Sequence, residues 1–326
     1  MRGDAEAIAA PAASSARSGA SLSPDRLAAR AASATVPQAA PNAALVSQRA
    51  AERNLPERLT LGLWVSHWLE TFPEGNFDES RWDQQTGKHG WGNNELQDYV
   101  KGSYGWDEDG FYLATTGTNN NDIRSARLNS KEALSPPYRV DVRAKLPDIA
   151  KGAWPAIWML GDSLRTGKRS WPQCGEIDMM EWVAYDPTRI HATIHTDVYN
   201  HIKGTQQAGT KTYGSGQEAI QEFRDYRLDV HADKMFFFID GELIFTYSHQ
   251  SIRDMGGNPD SIGTWPFSEP HYLFLNTAFG GNWGGAQGVD PSTLPIKFHI
   301  KHVHFYKGTR HSNETWATPA PASVSY

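Results

Sequence analysis

Between residues 58 and 308 apolar and polar positions alternate in short runs, and helical spacing is nowhere sustained. Tyr138-Arg139-Val140-Asp141-Val142-Arg143-Ala144-Lys145 alternates with period two, the signature of a strand with one buried face. Phe111-Tyr112-Leu113-Ala114 and the segments 226–230, 235–239, 243–247 and 298–306 read as further strands. Asp240-Gly241 between two of them is a tight hairpin signal. Residues 203–217, rich in Gly, Thr and Gln, read as a loop, and 249–268 as loop with one helical turn. Many short strands joined by Gly, Asn and Asp turns predict an all-β sandwich.

One apolar run is interrupted by acids. In Glu176-Ile177-Asp178-Met179-Met180-Glu181-Trp182, three carboxylates fall within six residues. On a strand, Glu176 and Asp178 share a face, because positions two apart do. Glu181 is five positions from Glu176, so a regular strand aims it the other way. One extra residue, a bulge at Met179-Met180, returns it to the face of the other two. Crowded carboxylates cannot all stay ionised, so at least one should hold its proton above the usual range. A protonated carboxyl beside an ionised one is the pair that cleaves glycosidic bonds. A solvated polar strand face, or a cation site, is the plainer reading of the same residues.

Composition narrows the choice. The net charge is −6 and no basic patch stands out, which argues against a nucleic-acid partner. Twelve Trp are more than a core of this size usually holds, so some should line a cleft. The single cysteine, Cys174, excludes an intrachain disulfide and reads as a small buried residue. Residues 1–57 are rich in Ala, Ser and Pro and read as a disordered leader or linker, with a short amphipathic helix conceivable at 45–53. They contain no apolar core of a secretory signal. No apolar run is long enough to span a membrane. Residues 309–326 read as an irregular tail.

Glu-Ile-Asp-Met-Met-Glu at 176–181 resembles the active-site motif of glycoside hydrolase family 16. The two residues between Asp and the second Glu match its bulged form, found in laminarinase-type β-1,3-glucanases and galactan hydrolases. The resemblance runs over roughly 58–308. It includes Gly92-Asn93-Asn94-Glu95-Leu96-Gln97, Ser125-Ala126-Arg127-Leu128, Arg143-Ala144-Lys145-Leu146-Pro147 and Trp154-Pro155-Ala156-Ile157-Trp158. It closes with Leu275-Asn276-Thr277-Ala278-Phe279-Gly280-Gly281-Asn282-Trp283. It implies a jelly roll of two curved antiparallel sheets with a substrate groove across the concave face. It implies Glu176 as nucleophile, Glu181 as acid/base, and Asp178 between them tuning both. Asn93, Arg127, Trp154, Trp158, His195 and Trp283 become candidate substrate-binding residues. The amide of Asn93 and the guanidinium of Arg127 suit sugar hydroxyls, and flat indoles suit pyranose rings. His191 and His195 lie four apart, but the alternating Ile-Ala-Ile around them argues for a strand rather than a helical metal pair.

The expected activity is retaining, endo-acting hydrolysis of β-1,3-linked glucan, with a polysaccharide as partner and neither cofactor nor metal. In the family an Asp on the last strand commonly helps hold a structural calcium. Here that place is taken by Lys301, which has no lone pair to offer. A monomer located outside the cell or in the periplasm is the accompanying expectation. Two alternatives stay open: a hydrolase or transglycosylase acting on galactan or mixed-linkage glucan, and a non-catalytic glucan-binding protein.

Overall fold

The computed structural model describes residues 64–308. The leader at 1–57, the start of the expected domain at 58–63 and the tail at 309–326 lie outside the described residues.

Seventeen strands run through the described residues. The first eight are β1 (Trp64–Glu70), β2 (Trp82–Gln84), β3 (Asp98–Tyr99), β4 (Tyr104–Asp107), β5 (Gly110–Thr115), β6 (Arg124–Ser125), β7 (Arg127–Ser130) and β8 (Tyr138–Lys145). They are followed by β9 (Ala153–Gly161), β10 (Glu176–Glu181), β11 (Arg189–His195), β12 (Gln207–Thr212), β13 (Arg224–Val230), β14 (Lys234–Ile239), β15 (Glu242–Ser248), β16 (His271–Phe279) and β17 (Ile296–Gly308). The larger sheet has the order β15-β14-β13-β8-β17-β5-β4, with β1 also paired to β17. The second has the order β12-β11-β10-β9-β16-β7-β2. Every pairing within these two sheets is antiparallel, and β3 and β6 form a small parallel ladder apart from them.

The sheets face one another across a single core. Val140, Val142, Leu228, Phe298 and Ile300 come from the larger sheet, and Ile157, Met159, Ile177, Ile194, Leu273 and Leu275 from the second. Each buried aliphatic side chain contributes roughly 1.5–3 kcal/mol. A one-residue slip of any strand would turn such a set out to water, so burial fixes the register. The alternation of β8 is as expected, with Val140, Val142 and Ala144 inward. Asp240-Gly241 makes the β14–β15 hairpin, with φ of 52° and 76°, values that suit Gly and are tolerated by Asp.

The expected loop at 203–217 is corrected by the structure. β12 occupies 207–212 and pairs along β11, and a short helix, Gly216–Ile220, follows it. β12 is half exposed along its length, so hydrophobic alternation never marks it. Backbone pairing to its neighbour makes it a strand.

Candidate active site

Gly175 leads into β10 with φ 80°, and a Cβ there would meet Pro266 Cγ at 2.6 Å. Only glycine suits both conditions. From Glu176 the strand pairs regularly with both neighbours as far as Asp178, which lies opposite Trp158 on β9 and Thr193 on β11. The next pairs are Met180 with Ile157 and Glu181 with Ala156, which leaves Met179 as the extra residue. On the other side Glu181 lies opposite His191, three positions after Asp178 where β11 advances two. The bulge expected at Met179-Met180 is therefore present. Met179 and Met180 are buried, which anchors it.

Neighbouring strands extend this face. β11 contributes His191, Thr193 and His195, and β9 contributes Trp154 and Trp158. Further across lie Phe274 and Asn276 of β16 and Arg127 of β7. Each glutamate receives one indole N–H. Trp171 Nε1 donates to Glu176 Oε2 at 2.9 Å, and Trp154 Nε1 donates to Glu181 Oε1 at 3.0 Å. His195 Nε2 lies 3.7 Å from Glu176 Oε1 and 3.4 Å from Asp178 Oδ2. His201, in the loop after β11, sits 5.1 Å from the rings of both Trp171 and His195.

The electrostatics follow from this crowding. Burial, then the charge of Asp178, pushes Glu176 up to about 8, against the opposing pull of His195 and the Trp171 N–H. Burial and Asp178 also raise Glu181 to about 8, against His195 and Trp154. Burial holds Asp178, 3% exposed, well above the carboxylate range. Burial and the neighbouring His195 depress His201 to about 4. The strip thus retains protons at neutral pH, the state in which a carboxyl can act as an acid.

Of the expected binding residues, Arg127, Trp154, Trp158 and His195 lie on strands of this face, and Asn93 and Trp283 come from turns. Trp283 packs edge-on against both Trp154 and His191, at 5.4 Å in each case. Arg127 lies 4.7 Å from the Trp158 ring and 4.6 Å from that of Trp91, and its Nε donates to Gln85. Trp158 stacks on Phe274 at 4.5 Å, so less of its ring is free than a bare platform would offer. Asn93 lies in a turn with φ of 76° at Gly90, 82° at Gly92 and 56° at Asn94. Its carbonyl accepts from Asn282 N at 2.7 Å, which docks this turn beside Trp283. Cys174 is buried, and burial pushes its thiol up to about 12.

Sequence reasoning passed over Trp171, His201, Trp91 and Asn276. Trp171 and His201 come from loops, where no periodicity reports which way a side chain points. Asn276 was within reach, because it sits in the matched segment and one strand register away from Trp158. Among the described residues, Glu176, Asp178 and His195 are the group whose ligand-type atoms lie close enough, within 4.8 Å of one another, to meet a cation. At the position of the family's calcium ligand, Lys301 places its ammonium 4.9 Å from the Phe223 ring, a donor set that does not fit a cation.

Crowded carboxylates flanked by indoles on the outer face of one sheet of a β-sandwich fit a carbohydrate-cleaving protein. The family model described as glycosyl hydrolases family 16 matches residues 102–300, and the chain belongs to that family. A β-glucanase of Rhodothermus marinus is 35% identical over 252 residues, 75% of this chain and 85% of that protein. A glucan endo-1,3-β-glucosidase of Cryptopygus antarcticus is 32% identical over 241 residues, 71% of this chain and 86% of that protein. The solved laminarinase of Rhodothermus marinus has a TM-score of 0.66 at 33% identity, over 77% of this chain and 100% of that one.

Proposed function

We propose that this glycoside hydrolase cuts β-1,3-linked glucan internally, with retention, by a double displacement on Glu176 and Glu181. The observation that carries the mechanism is the bulge at Met179, which sets both glutamates on one face of the sheet with Asp178 between them. Glu176 has the stronger claim to the negative charge, since it faces His195 and also accepts the Trp171 N–H. Glu181 has the Trp154 N–H and no such imidazole contact, which suits the proton-bearing partner. Glu181 then protonates the leaving oxygen while Glu176 attacks the anomeric carbon. Water, activated by the same Glu181, releases the sugar. Asp178 lies between the two, and its charge raises both partners.

The choice of glucan rests on the Rhodothermus marinus and Cryptopygus antarcticus relatives, which are glucan-cleaving enzymes by name. Proton NMR of the first-formed product, with a soluble β-1,3-glucan as substrate, should show the β anomer. An initial α product would eliminate the double displacement. A reducing-sugar screen over laminarin, lichenan, agar and carrageenan checks the substrate, and laminarin should give the fastest turnover. Among the described residues no helix is long and apolar enough to cross a membrane. We further propose a monomer acting outside the cytoplasm, where such polymers are met, with a leader at 1–57 that turnover does not need.

A further inference from the structure

The turn that carries Asn93 leads to a further buried acid close to this face. Glu95 is 9% exposed and lies off the carboxylate strip. A chain of hydrogen bonds nevertheless joins it to that face. Trp158 Nε1 donates to Asn276 Oδ1 at 2.6 Å, Asn276 Nδ2 donates to the Tyr99 hydroxyl at 2.9 Å, and that hydroxyl donates to Glu95 Oε2 at 3.5 Å. Tyr99 is fully buried and Asn276 is 5% exposed.

Each link has only one workable direction. An indole N–H can only donate, so Asn276 must present its carbonyl to Trp158 and its amide to Tyr99. Tyr99 receives that amide and passes its own proton onward, which requires an acceptor at the end. A carboxylate accepts at both oxygens. Glu95 also takes Gln97 Nε2 at 2.6 Å, and Gln97 Oε1 is occupied by the Phe279 backbone N–H at 2.8 Å. Asn93 Nδ2 points at its other oxygen from 3.5 Å. Donors therefore converge on Glu95 from three side chains, and an amide in its place would set one donor against another. Burial raises the Glu95 pKa, and Gln97 followed by the charge of Arg127 opposes that rise.

We propose that Glu95 is a positioning residue: through Tyr99 and Asn276 it fixes the Trp158 ring, and by its charge it steadies Arg127 against that ring. It touches no reacting atom. Its role in catalysis rests on the reading of this groove as the glucan site, whereas the relay itself does not.

Glu95→Gln and Tyr99→Phe, made singly, together and in a Trp158→Phe background, test this. On soluble β-1,3-gluco-oligosaccharides each single variant should raise KM about tenfold, a typical cost for a broken bond to a charged group, with kcat nearly kept. The double variant should be no worse than Glu95→Gln alone, and with Trp158→Phe in place Glu95→Gln should add little, because coupled residues are not additive. The indole N–H resonance of Trp158, assigned by its loss in Trp158→Phe, should shift and exchange faster in both single variants. Additive KM effects with an unmoved Trp158 resonance would overturn the proposal. A parent enzyme inert on β-1,3-glucan would sink the functional reading alone, and the indole signal would still decide the relay. If Glu95→Gln does not fold, Tyr99→Phe breaks the same chain more gently and carries the test.

Discussion

Carboxylates on the outer faces of the two sheets are treated in opposite ways. On the larger sheet most of the acids are matched by a cation. Asp107 meets Lys297 at 2.7 Å and His299 at 3.0 Å, and although burial alone would raise it, these partners bring it down to about 2. Arg139 grips Asp229 with two bonds of 2.6 and 2.8 Å directly across from it on the neighbouring strand. On the second sheet three acids crowd together, two of them beside one imidazole, and all three are raised. The first arrangement stabilises the fold and is chemically idle. The second gives up stability and leaves protons available for transfer. Asp141 shows that a raised pKa is not enough. Burial takes it to about 7, yet the acids near it are tied up in ion pairs, Asp229 with Arg139 and Asp225 with Arg143.

The largest expected effect separates the two faces by function. Glu176→Ala and Glu181→Ala should each cut turnover by at least about 10²–10⁴-fold, the usual worth of acid–base help. Asp107→Asn should leave turnover unchanged. Steady-state rates on laminarin decide this, and an Asp107→Asn enzyme as crippled as the glutamate variants would erase the contrast.

Inserting one Ala after Met180 comes next. It should turn Glu181 off the groove face and abolish hydrolysis, with the folded state and glucan binding surviving. Retained hydrolysis would move the acid/base assignment to another residue. Replacing Met179 with Ala keeps the residue count and removes only packing. That variant should stay active and lose about 2–5 kcal/mol of stability, measurable by urea titration.

Asp178→Asn is a smaller change. Asp178 is the principal charged neighbour raising both glutamates. Without that repulsion both should ionise at lower pH, so the pH–rate profile should move to the acid side as turnover falls. A profile that keeps its position would mean that Asp178 acts by geometry alone.

The smallest effect is the pH dependence of melting, and its sign differs between the faces. Glu176, with an ordinary carboxylate pKa of 4.5 and a folded value of about 8, favours the fold below 4.5 and loses that contribution as pH rises towards 8. Glu176→Gln should therefore raise the melting temperature at pH 8–9 and change little near pH 4. Asp107 runs the other way. Its contribution is present above the ordinary 3.8 and is lost as pH falls towards 2. Asp107→Asn should therefore melt lower at neutral pH, and the difference should close in strong acid. Differential scanning calorimetry across this range reads both, and parallel shifts would contradict the division.

Much of this was written locally. Period-two alternation determined β8, Asp240-Gly241 determined the β14–β15 hairpin, and the odd spacing from Glu176 to Glu181 demanded the bulge that the register contains. Each of these is a property of a few adjacent residues, set by strand pleat and turn sterics. Tertiary structure alone decided what crosses between segments. β12 became a strand because β11 lay beside it. Trp171 reached Glu176 from a loop, and Glu95 was joined to Trp158 through Tyr99 and Asn276, residues nearly two hundred positions apart in the chain. A hydrogen bond is satisfied by whichever group the fold brings within about 3 Å, and spacing along the sequence carries no record of that.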